Sequence, residues 1–189
     1  MQNKFKNKYR ISSTRLQTWD YSNNGAYFIT ICTQNREHFF GNIQNGIMQL
    51  SEIGKLAEQY WMEIPNHFSF IELGNFVVMP NHVHGILIIN KINDLPLYES
   101  VDTRQCLVST IDSNKTIGSS RFQNQGKNTI SSIVGSYKSI VTKMSRQIHS
   151  DFSWQSRFHD HIIRNSKSFN NIQNYIFDNP LNWKTDKFY

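Results

Sequence analysis

The stretch FVVMPNHVHGILII, from Phe76 to Ile89, constrains the fold more than any other part of the chain. Its two apolar runs flank Pro80-Asn81, which predicts a β-hairpin with a tight turn between two strands. Because side chains alternate between the faces of a strand, His82 and His84 point the same way, and Val83 points into the opposite layer. Two imidazoles presented together on a rigid strand can each offer a nitrogen to one metal ion.

A His-x-His pair is a short motif, and the two histidines can also be read as ordinary residues of an edge strand. Their place directly after a turn, at the start of an aliphatic strand, favours the metal interpretation. A metal site of this kind needs a third ligand and a reactive group, which must come from elsewhere in the chain.

The composition favours a single domain that meets a polyanion. The chain has 189 residues, enough for one core, and 20 lysines and arginines against 14 acidic residues give a net charge of +6. Cys32 and Cys106 lack the spacing of metal ligands, so we expect free thiols and a reducing compartment. Because there is no run of ~20 apolar residues and no apolar signal core, we expect a cytoplasmic protein with no membrane partner.

Residues 1–24 form a polar, basic arm in which cationic and aromatic residues are interleaved. We expect the first part of this arm to be a solvated tail. Arg10 and Arg15 lie closer to the folded part, where a cation beside an aromatic ring can bind a phosphate or stack on a base.

The first half of the folded part alternates between predicted strands and a helix. Residues 26–33 are β-branched, aromatic and almost continuously apolar, which predicts a central strand. A second strand region within residues 43–50 turns at Asn45-Gly46. Ser51 is then predicted to cap a helix that Pro65 closes, and the strand before the hairpin begins within residues 68–74.

The second half contains an insertion followed by two more helices. Polar residues dominate 91–128, so we expect a flexible insertion there. An apolar stripe over residues 129–149 predicts a core helix with a basic outer flank that includes Lys138. The last helix is predicted to start near Ser166 as its cap.

A second histidine pair, His159 and His161, lies in the run FHDHIIR. If both histidines faced a metal site, Asp160 would face the core, which is costly without a partner. We therefore favour a short edge strand near a nucleic acid over a second set of metal ligands, and the role of the pair stays open.

Tyr175 lies on the shoulder of the apolar stripe of the last helix, and Asn179 lies one turn further along the same side. Pro180 disfavours the helical conformation at Asn179, so we expect the helix to end there and free the amide to swing. Taken alone, the helix would make Tyr175 an ordinary core aromatic.

Three motifs together resemble the single-tyrosine HUH transposases, and most closely the REP-associated tyrosine transposases. They are MPNHVHGI, the terminal NYIFDNP and the opening YFITICTQNR, and they follow one another in the order of that family. The resemblance covers most of the chain outside residues 91–128. It implies an α+β, ferredoxin-like sandwich, in which a central antiparallel sheet is packed with helices and the last helix bears the tyrosine.

The resemblance also implies roles for individual residues. His82, His84 and Asn179 would bind a divalent metal, Mg²⁺ or Mn²⁺, and Tyr175 would be the catalytic nucleophile. An ion held by uncharged ligands keeps its full charge for the phosphate, polarises its oxygens and orients it for in-line attack. The tyrosine would form a 5′-phosphotyrosine link and free a 3′-OH that can later rejoin the strand. No general base for Tyr175 is evident in the sequence.

The partner that the resemblance implies is single-stranded DNA with imperfect hairpins. Charge and position suggest nucleic-acid contacts for five residues: Arg10, Arg15, Arg36, Lys138 and Arg164. Such contacts predict salt-dependent binding. The protein is expected to be a monomer or a homodimer, organised as a basic arm (1–24), one HUH domain (25–183) with the insertion at 91–128, and a tail (184–189).

Three other interpretations remain open at this point. A rolling-circle or relaxase-type HUH nickase would use the same nucleophile and metal. A domesticated protein that binds DNA hairpins without cutting them would keep the fold alone. A small structural zinc domain is disfavoured, because no cysteine accompanies the histidines.

Overall fold

A computed structural model describes residues 19–91, 126 and 128–189. Arg10, Arg15, Cys106 and nearly all of the predicted insertion lie outside the described residues. The described strands are β1 (Gly25–Cys32), β2 (Gly41–Gln44), β3 (Ile47–Leu50), β4 (Ile71–Met79), β5 (His82–Ile89) and β6 (His159–Ile163). The described helices are α1 (Glu52–Met62), α2 (Ile64–His67), α3 (Ile130–Ser145) and α4 (Ser166–Asp178).

The central sheet has the strand order β4-β5-β1-β6, and every neighbouring pair is antiparallel. If these four strands are numbered by their order along the chain, their order across the sheet is 2-3-1-4. Helix α1 lies between the first and second of these strands and α3 between the third and fourth, which is the βαββαβ arrangement of ferredoxin-like folds. The predicted α+β class with a central antiparallel sheet flanked by helices is therefore confirmed.

One face of the sheet carries the main core, to which α1 and α3 both contribute. Trp61 of α1 is fully buried above Gly85 of β5, where a Cβ atom would lie 2.3 Å from Cζ2 of the indole. The Tyr137 hydroxyl of α3 donates a hydrogen bond to the Ala57 carbonyl of α1 at 3.0 Å, so the two helices are tied together. The predicted inward side chain Val83 belongs to this core.

Helix α4 packs on the other face of the sheet. Its buried residue Ile176 forms a smaller apolar cluster with Ile86 of β5 and Ile163 of β6. Two hydrogen bonds link Asn75 of β4 to Gln173 of α4, at 2.7 and 3.2 Å. These contacts fix the helix over the sheet beside the predicted histidine pair.

The predicted turn at Asn45-Gly46 joins β2 and β3 into a separate hairpin. Other local details differ from the predictions. Helix α1 ends at Met62, and Pro65 is the second residue of the short helix α2 that follows it. Helix α3 ends at Ser145, so Ile148 lies beyond it and is about half exposed.

The cap of α4 also differs. Asn165 caps this helix, because its side chain accepts a hydrogen bond from the Ser168 amide, and Ser166 is the first helical residue. Cys32 is buried and free, as expected. None of the described helices has the length and apolarity that crossing a membrane requires.

Candidate metal centre and nucleophile

His82 and His84 lie side by side on β5, on the face that α4 partly covers. Both side chains are buried, and their ring centroids are 4.3 Å apart. The alternation predicted from the sequence is therefore confirmed, and two imidazoles meet in one buried place.

The ring of His82 is held by Asn81, the residue of the turn before it. The Nδ1 atom of His82 lies 2.8 Å from Oδ1 of Asn81, and the Asn81 amide nitrogen donates to the Phe188 carbonyl at 2.8 Å. A carboxamide oxygen only accepts, so Nδ1 must carry the proton and Nε2 keeps its lone pair. That Nε2 atom is buried and has no hydrogen-bond partner among the described residues. A buried nitrogen left in this state fits a metal ligand.

The ring of His84 is held from the neighbouring strand. Thr30 of β1 lies directly opposite His84, and its hydroxyl is 2.8 Å from Nδ1. With the proton on Nδ1, the hydroxyl accepts it and Nε2 is left to bind a cation. The Tyr175 hydroxyl lies 3.3 Å from this Nε2 atom.

Burial keeps both imidazoles neutral. Burial, followed by the positive charges of Arg36 and Lys187, lowers the pKa of His82 to about 3. The pKa of His84 is also lowered well below its ordinary value, first by burial and then by the proximity of His82. Neutral imidazole is the form that binds metal, so neither histidine has to lose a proton before it can bind a metal ion at neutral pH.

Asp186 completes a group that the sequence analysis missed. One ligand atom each from His82, His84 and Asp186 lie within 4.8 Å of one another. The Asp186 carboxylate accepts hydrogen bonds from the Tyr175 hydroxyl at 3.0 Å, the Asn179 amide at 2.9 Å and the Phe188 backbone at 2.7 Å. The only available signal was that Asp186 is the single acidic residue after Asp178.

Asn179, the predicted third ligand, lies beside this group but not as expected. Its backbone is helical, with φ −58° and ψ −42°, and its side chain is 1% exposed. Helix α4 ends at Asp178, as expected, but the expectation that this frees the side-chain amide to swing is wrong, because that amide is buried and donates a hydrogen bond to Asp186. Backbone hydrogen bonds from Asn179 to Ile176 and from Asn182 to Asn179 keep the turn in helical geometry. The Oδ1 atom of Asn179 is buried and has no partner among the described residues.

The candidate donor set therefore consists of two neutral imidazoles and a carboxylate, with a buried amide oxygen beside them, so the ligands are not all uncharged as expected. Nitrogen and oxygen donors of this kind suit a divalent cation such as Mn²⁺ or Mg²⁺. Two of these atoms, Nε2 of His82 and Oδ1 of Asn179, lack hydrogen bonds in the described residues. The residues present thus fit a metal ion.

Tyr175 presents a half-exposed phenol to the histidines. Its ring packs edge-on against Phe28, with centroids 6.0 Å apart, and its centroid is 5.4 Å from that of His84. Burial, followed by the charge and hydrogen bond of Asp186, raises the pKa of Tyr175 to about 12. The phenol stays protonated at neutral pH in this environment.

The last residues of the chain, which the sequence analysis treats as a tail, pack over the histidines. Phe188 is buried, with its ring centroid 4.8 Å from His82 and 5.5 Å from His84. Arg36 donates a hydrogen bond to the Lys187 carbonyl at 2.9 Å, and its guanidinium lies 5.3 Å from the Phe188 ring. Arg36 is thus placed next to the site.

The other candidates for nucleic-acid contact lie elsewhere. Lys138 belongs to α3, on the opposite face of the sheet, and donates a hydrogen bond to the Gln155 carbonyl at 2.7 Å. Arg164 follows β6 and lines a cavity of about 380 Å³ together with His161. Of the predicted contacts within the described residues, Arg36 is therefore the one beside the metal centre.

Comparisons with known proteins identify a relative and a fold. No family model matches the chain. A Haemophilus influenzae protein described only as uncharacterized is 37% identical over 182 residues, which cover 94% of this chain and 92% of that protein.

A solved structure of a REP-associated tyrosine transposase bound to a REP hairpin matches with a TM-score of 0.57 and 18% identity. The match covers 94% of this chain and 77% of that one. The chain therefore belongs to the same family as the Haemophilus influenzae protein and has the fold of the REP-associated tyrosine transposases.

Proposed function

We propose that the protein is a metal-dependent transposase or endonuclease that cleaves and rejoins single-stranded DNA beside hairpins through a 5′-phosphotyrosine intermediate. The observation that carries this proposal is the position of the Tyr175 hydroxyl, 3.3 Å from Nε2 of a buried histidine and hydrogen-bonded to Asp186. A candidate nucleophile and a group of candidate metal ligands from distant segments thus lie next to each other, which supports the proposal.

The residues that would hold the metal are His82, His84 and Asp186, with the Asn179 amide oxygen beside them. Mg²⁺ or Mn²⁺ bound there would supply positive charge to the oxygens of the phosphate. Asn81 and Thr30 fix the two imidazole rings through hydrogen bonds of 2.8 Å, so the ligands are oriented before any ion binds.

The nucleophilic step then follows from the contacts of Tyr175. Its phenolic oxygen attacks phosphorus and forms the phosphotyrosine bond, while the bond from phosphorus to the 3′ oxygen breaks. Asp186 accepts the hydrogen bond of the phenol, so it is the nearest acceptor for the released proton. The leaving 3′ oxygen takes a proton from solvent and becomes the 3′-OH that can reverse the reaction.

The proposed substrate is single-stranded DNA with an imperfect hairpin. Support comes from the fold shared with a transposase that was solved with a REP hairpin, and from the net charge of +6. Arg36 would contact a phosphate near the metal centre, and Arg164 would do so from the end of β6. Arg10, Arg15 and Lys138 stay predictions, as does a monomeric or homodimeric state.

An adduct assay tests this function directly. Labelled hairpin DNA from the sequence flanking the gene is incubated with the protein and Mn²⁺ or Mg²⁺, then separated on a denaturing gel. We expect an adduct with wild type, none with Tyr175→Phe, and a wild-type amount with Tyr60→Phe, a matched change on the distant helix α1. An adduct that persists in Tyr175→Phe would show that the nucleophile is misassigned.

A non-cutting DNA-hairpin binding protein is the second candidate. Two observations favour it: Phe188 packs against both histidines, and burial together with Asp186 raises the pKa of Tyr175 and so keeps the phenol protonated. Tight hairpin binding by wild type without any adduct, in either metal, would support this alternative over cleavage.

A further inference from the structure

The second histidine pair has no role in the function proposed so far. His159 and His161 are both on β6, an edge of the central sheet, and neither belongs to the metal group within the described residues. Unlike His82 and His84, both are exposed to solvent.

Strand register places this pair on the same face as the metal centre. Thr30 of β1 lies opposite His84 on one side and opposite His159 on the other. Side chains directly opposite each other in antiparallel strands project to the same face of the sheet. His84, Thr30 and His159 therefore form one row across three strands. The next row contains Phe28, opposite His161, and the Phe28 ring contacts Tyr175.

The position of His159 suits a shared DNA strand better than a shared metal ion. The backbones of residues two strands apart are about 10 Å apart, and the group of ligand atoms that lie within 4.8 Å of one another contains His82, His84 and Asp186 but not His159. His159 therefore lies beside the metal centre and not within it. Its ring is 6.5 Å from that of Phe188, which also contacts both metal-site histidines.

The chemistry of the exposed pair fits a nucleic-acid backbone and its bases. A neutral imidazole carries one N–H, which can donate to a phosphate oxygen, and its flat ring can stack on a base. Alternation along β6 sends Asp160 to the other face, so its carboxylate does not lie between the two histidines. Arg164 follows the end of the strand and lines a cavity with His161, and Asp160 also reaches the edge of that cavity.

We infer that His159 and His161 form a binding strip that holds the DNA strand next to the phosphate attacked by Tyr175. This inference rests on the proposed function, because it assumes that single-stranded DNA crosses this face. It assigns the pair to substrate positioning and leaves metal binding to His82 and His84.

Binding measured without metal tests the strip separately from catalysis. Fluorescence anisotropy with labelled hairpin DNA and a chelator would compare wild type, His159→Ala, His161→Ala and the double variant. The matched control is His67→Ala, an exposed histidine at the end of α2. Since one hydrogen bond contributes about 1 kcal/mol, we expect each single variant to bind about fivefold more weakly and the control to bind like wild type.

A second measurement locates the contact on the DNA. Single methylphosphonate substitutions, which remove the charge of one phosphate, are placed in turn along the strand. If His159 contacts a phosphate, neutralising that phosphate weakens binding to wild type but has little further effect on His159→Ala. We expect this position to adjoin the cleavage site found in the adduct assay.

The outcomes separate this inference from the proposed function. If wild type forms the adduct but both alanine variants bind like His67→Ala, the strip is refuted and the nuclease assignment stands. If no adduct forms, yet the two histidines still control DNA affinity, the strip stands as part of a binding protein.

Discussion

Replacing Asp186 with asparagine tests whether this carboxylate is the third metal ligand. Asparagine has nearly the same size, but it removes the negative charge and one of the two acceptor oxygens. In wild type this carboxylate accepts three hydrogen bonds, from Tyr175, Asn179 and Phe188. The variant should therefore fold, lose some stability and bind a divalent cation more weakly.

The size of the metal effect follows from binding linkage. At a free Mn²⁺ concentration 100 times the dissociation constant, wild type gains about 2.7 kcal/mol of stability. A 10-fold weaker site would gain about 1.4 kcal/mol at the same concentration, and a 100-fold weaker site about 0.4 kcal/mol. For a chain of this length, about 1 kcal/mol corresponds to roughly 2–4 °C in Tm, so the loss should be measurable by thermal unfolding.

The same variant should also change the titration of Tyr175. Burial is the largest cause of its high pKa, and the charge and hydrogen bond of Asp186 add to it. Asp186→Asn should therefore lower the pKa of Tyr175 below about 12 without returning it fully to the ordinary value. Phenolate absorbance of the metal-free protein measures this, with Tyr175→Phe identifying the signal.

Asp151→Asn is the control, because Asp151 is exposed and accepts a hydrogen bond from the neighbouring Ser150. It should leave both the Mn²⁺-induced rise in Tm and the titration of Tyr175 unchanged. If Asp186→Asn also kept the wild-type metal affinity and tyrosine pKa, the assignment of Asp186 to the metal centre would be refuted.

Further predictions concern pH, ligand orientation and packing. The pKa of His82 falls from 6.5 to about 3 on folding, so the unfolded chain binds a proton that the folded protein does not. The free energy of unfolding of the metal-free protein should therefore decrease as pH falls from about 6.5 towards 3, by up to about 1.4 kcal/mol per pH unit. Urea unfolding at several pH values should show a weaker pH dependence for His82→Gln. Thr30→Val removes the hydrogen bond to His84 and should weaken Mn²⁺ binding about 10- to 100-fold, as measured by calorimetric titration. The circular dichroism spectrum of this variant should match that of wild type. Gly85→Ala should lower the free energy of unfolding by about 1–3 kcal/mol, whereas Gly135→Ala, which meets no atom within 4 Å, should raise it by up to about 1 kcal/mol.

The sequence predicts the scaffold of the site well, because local patterns determine it. Alternation over residues 82–89 is sufficient to place His82 and His84 on one face and Val83 in the core. The almost continuous apolar run around Tyr27 predicts a central strand. In the structure this strand pairs with β5 on one side and β6 on the other. Each of these predictions needs only the period of a strand.

The parts that were not predicted depend on tertiary contacts. Asp186 has no local pattern around it, and its position follows from the turn after Asn179 and from Phe188, which packs on the two histidines. The conformation of Asn179 was mispredicted for a related reason. The preference imposed by Pro180 is weak compared with burial of the side chain and the hydrogen bonds of the turn.

The register of β1 connects the core to the proposed chemistry. Tyr27, Ile29 and Ile31 are fully buried, so the core fixes which face these alternating residues occupy. A slip of one residue would exchange the two faces, place apolar side chains beside His82 and His84 and bury Thr30 in the core. The same register sets Thr30 between His84 and His159. Hydrophobic packing on one side of the sheet therefore determines the order of the proposed metal site, the orienting hydroxyl of Thr30 and the proposed DNA contact on the other side.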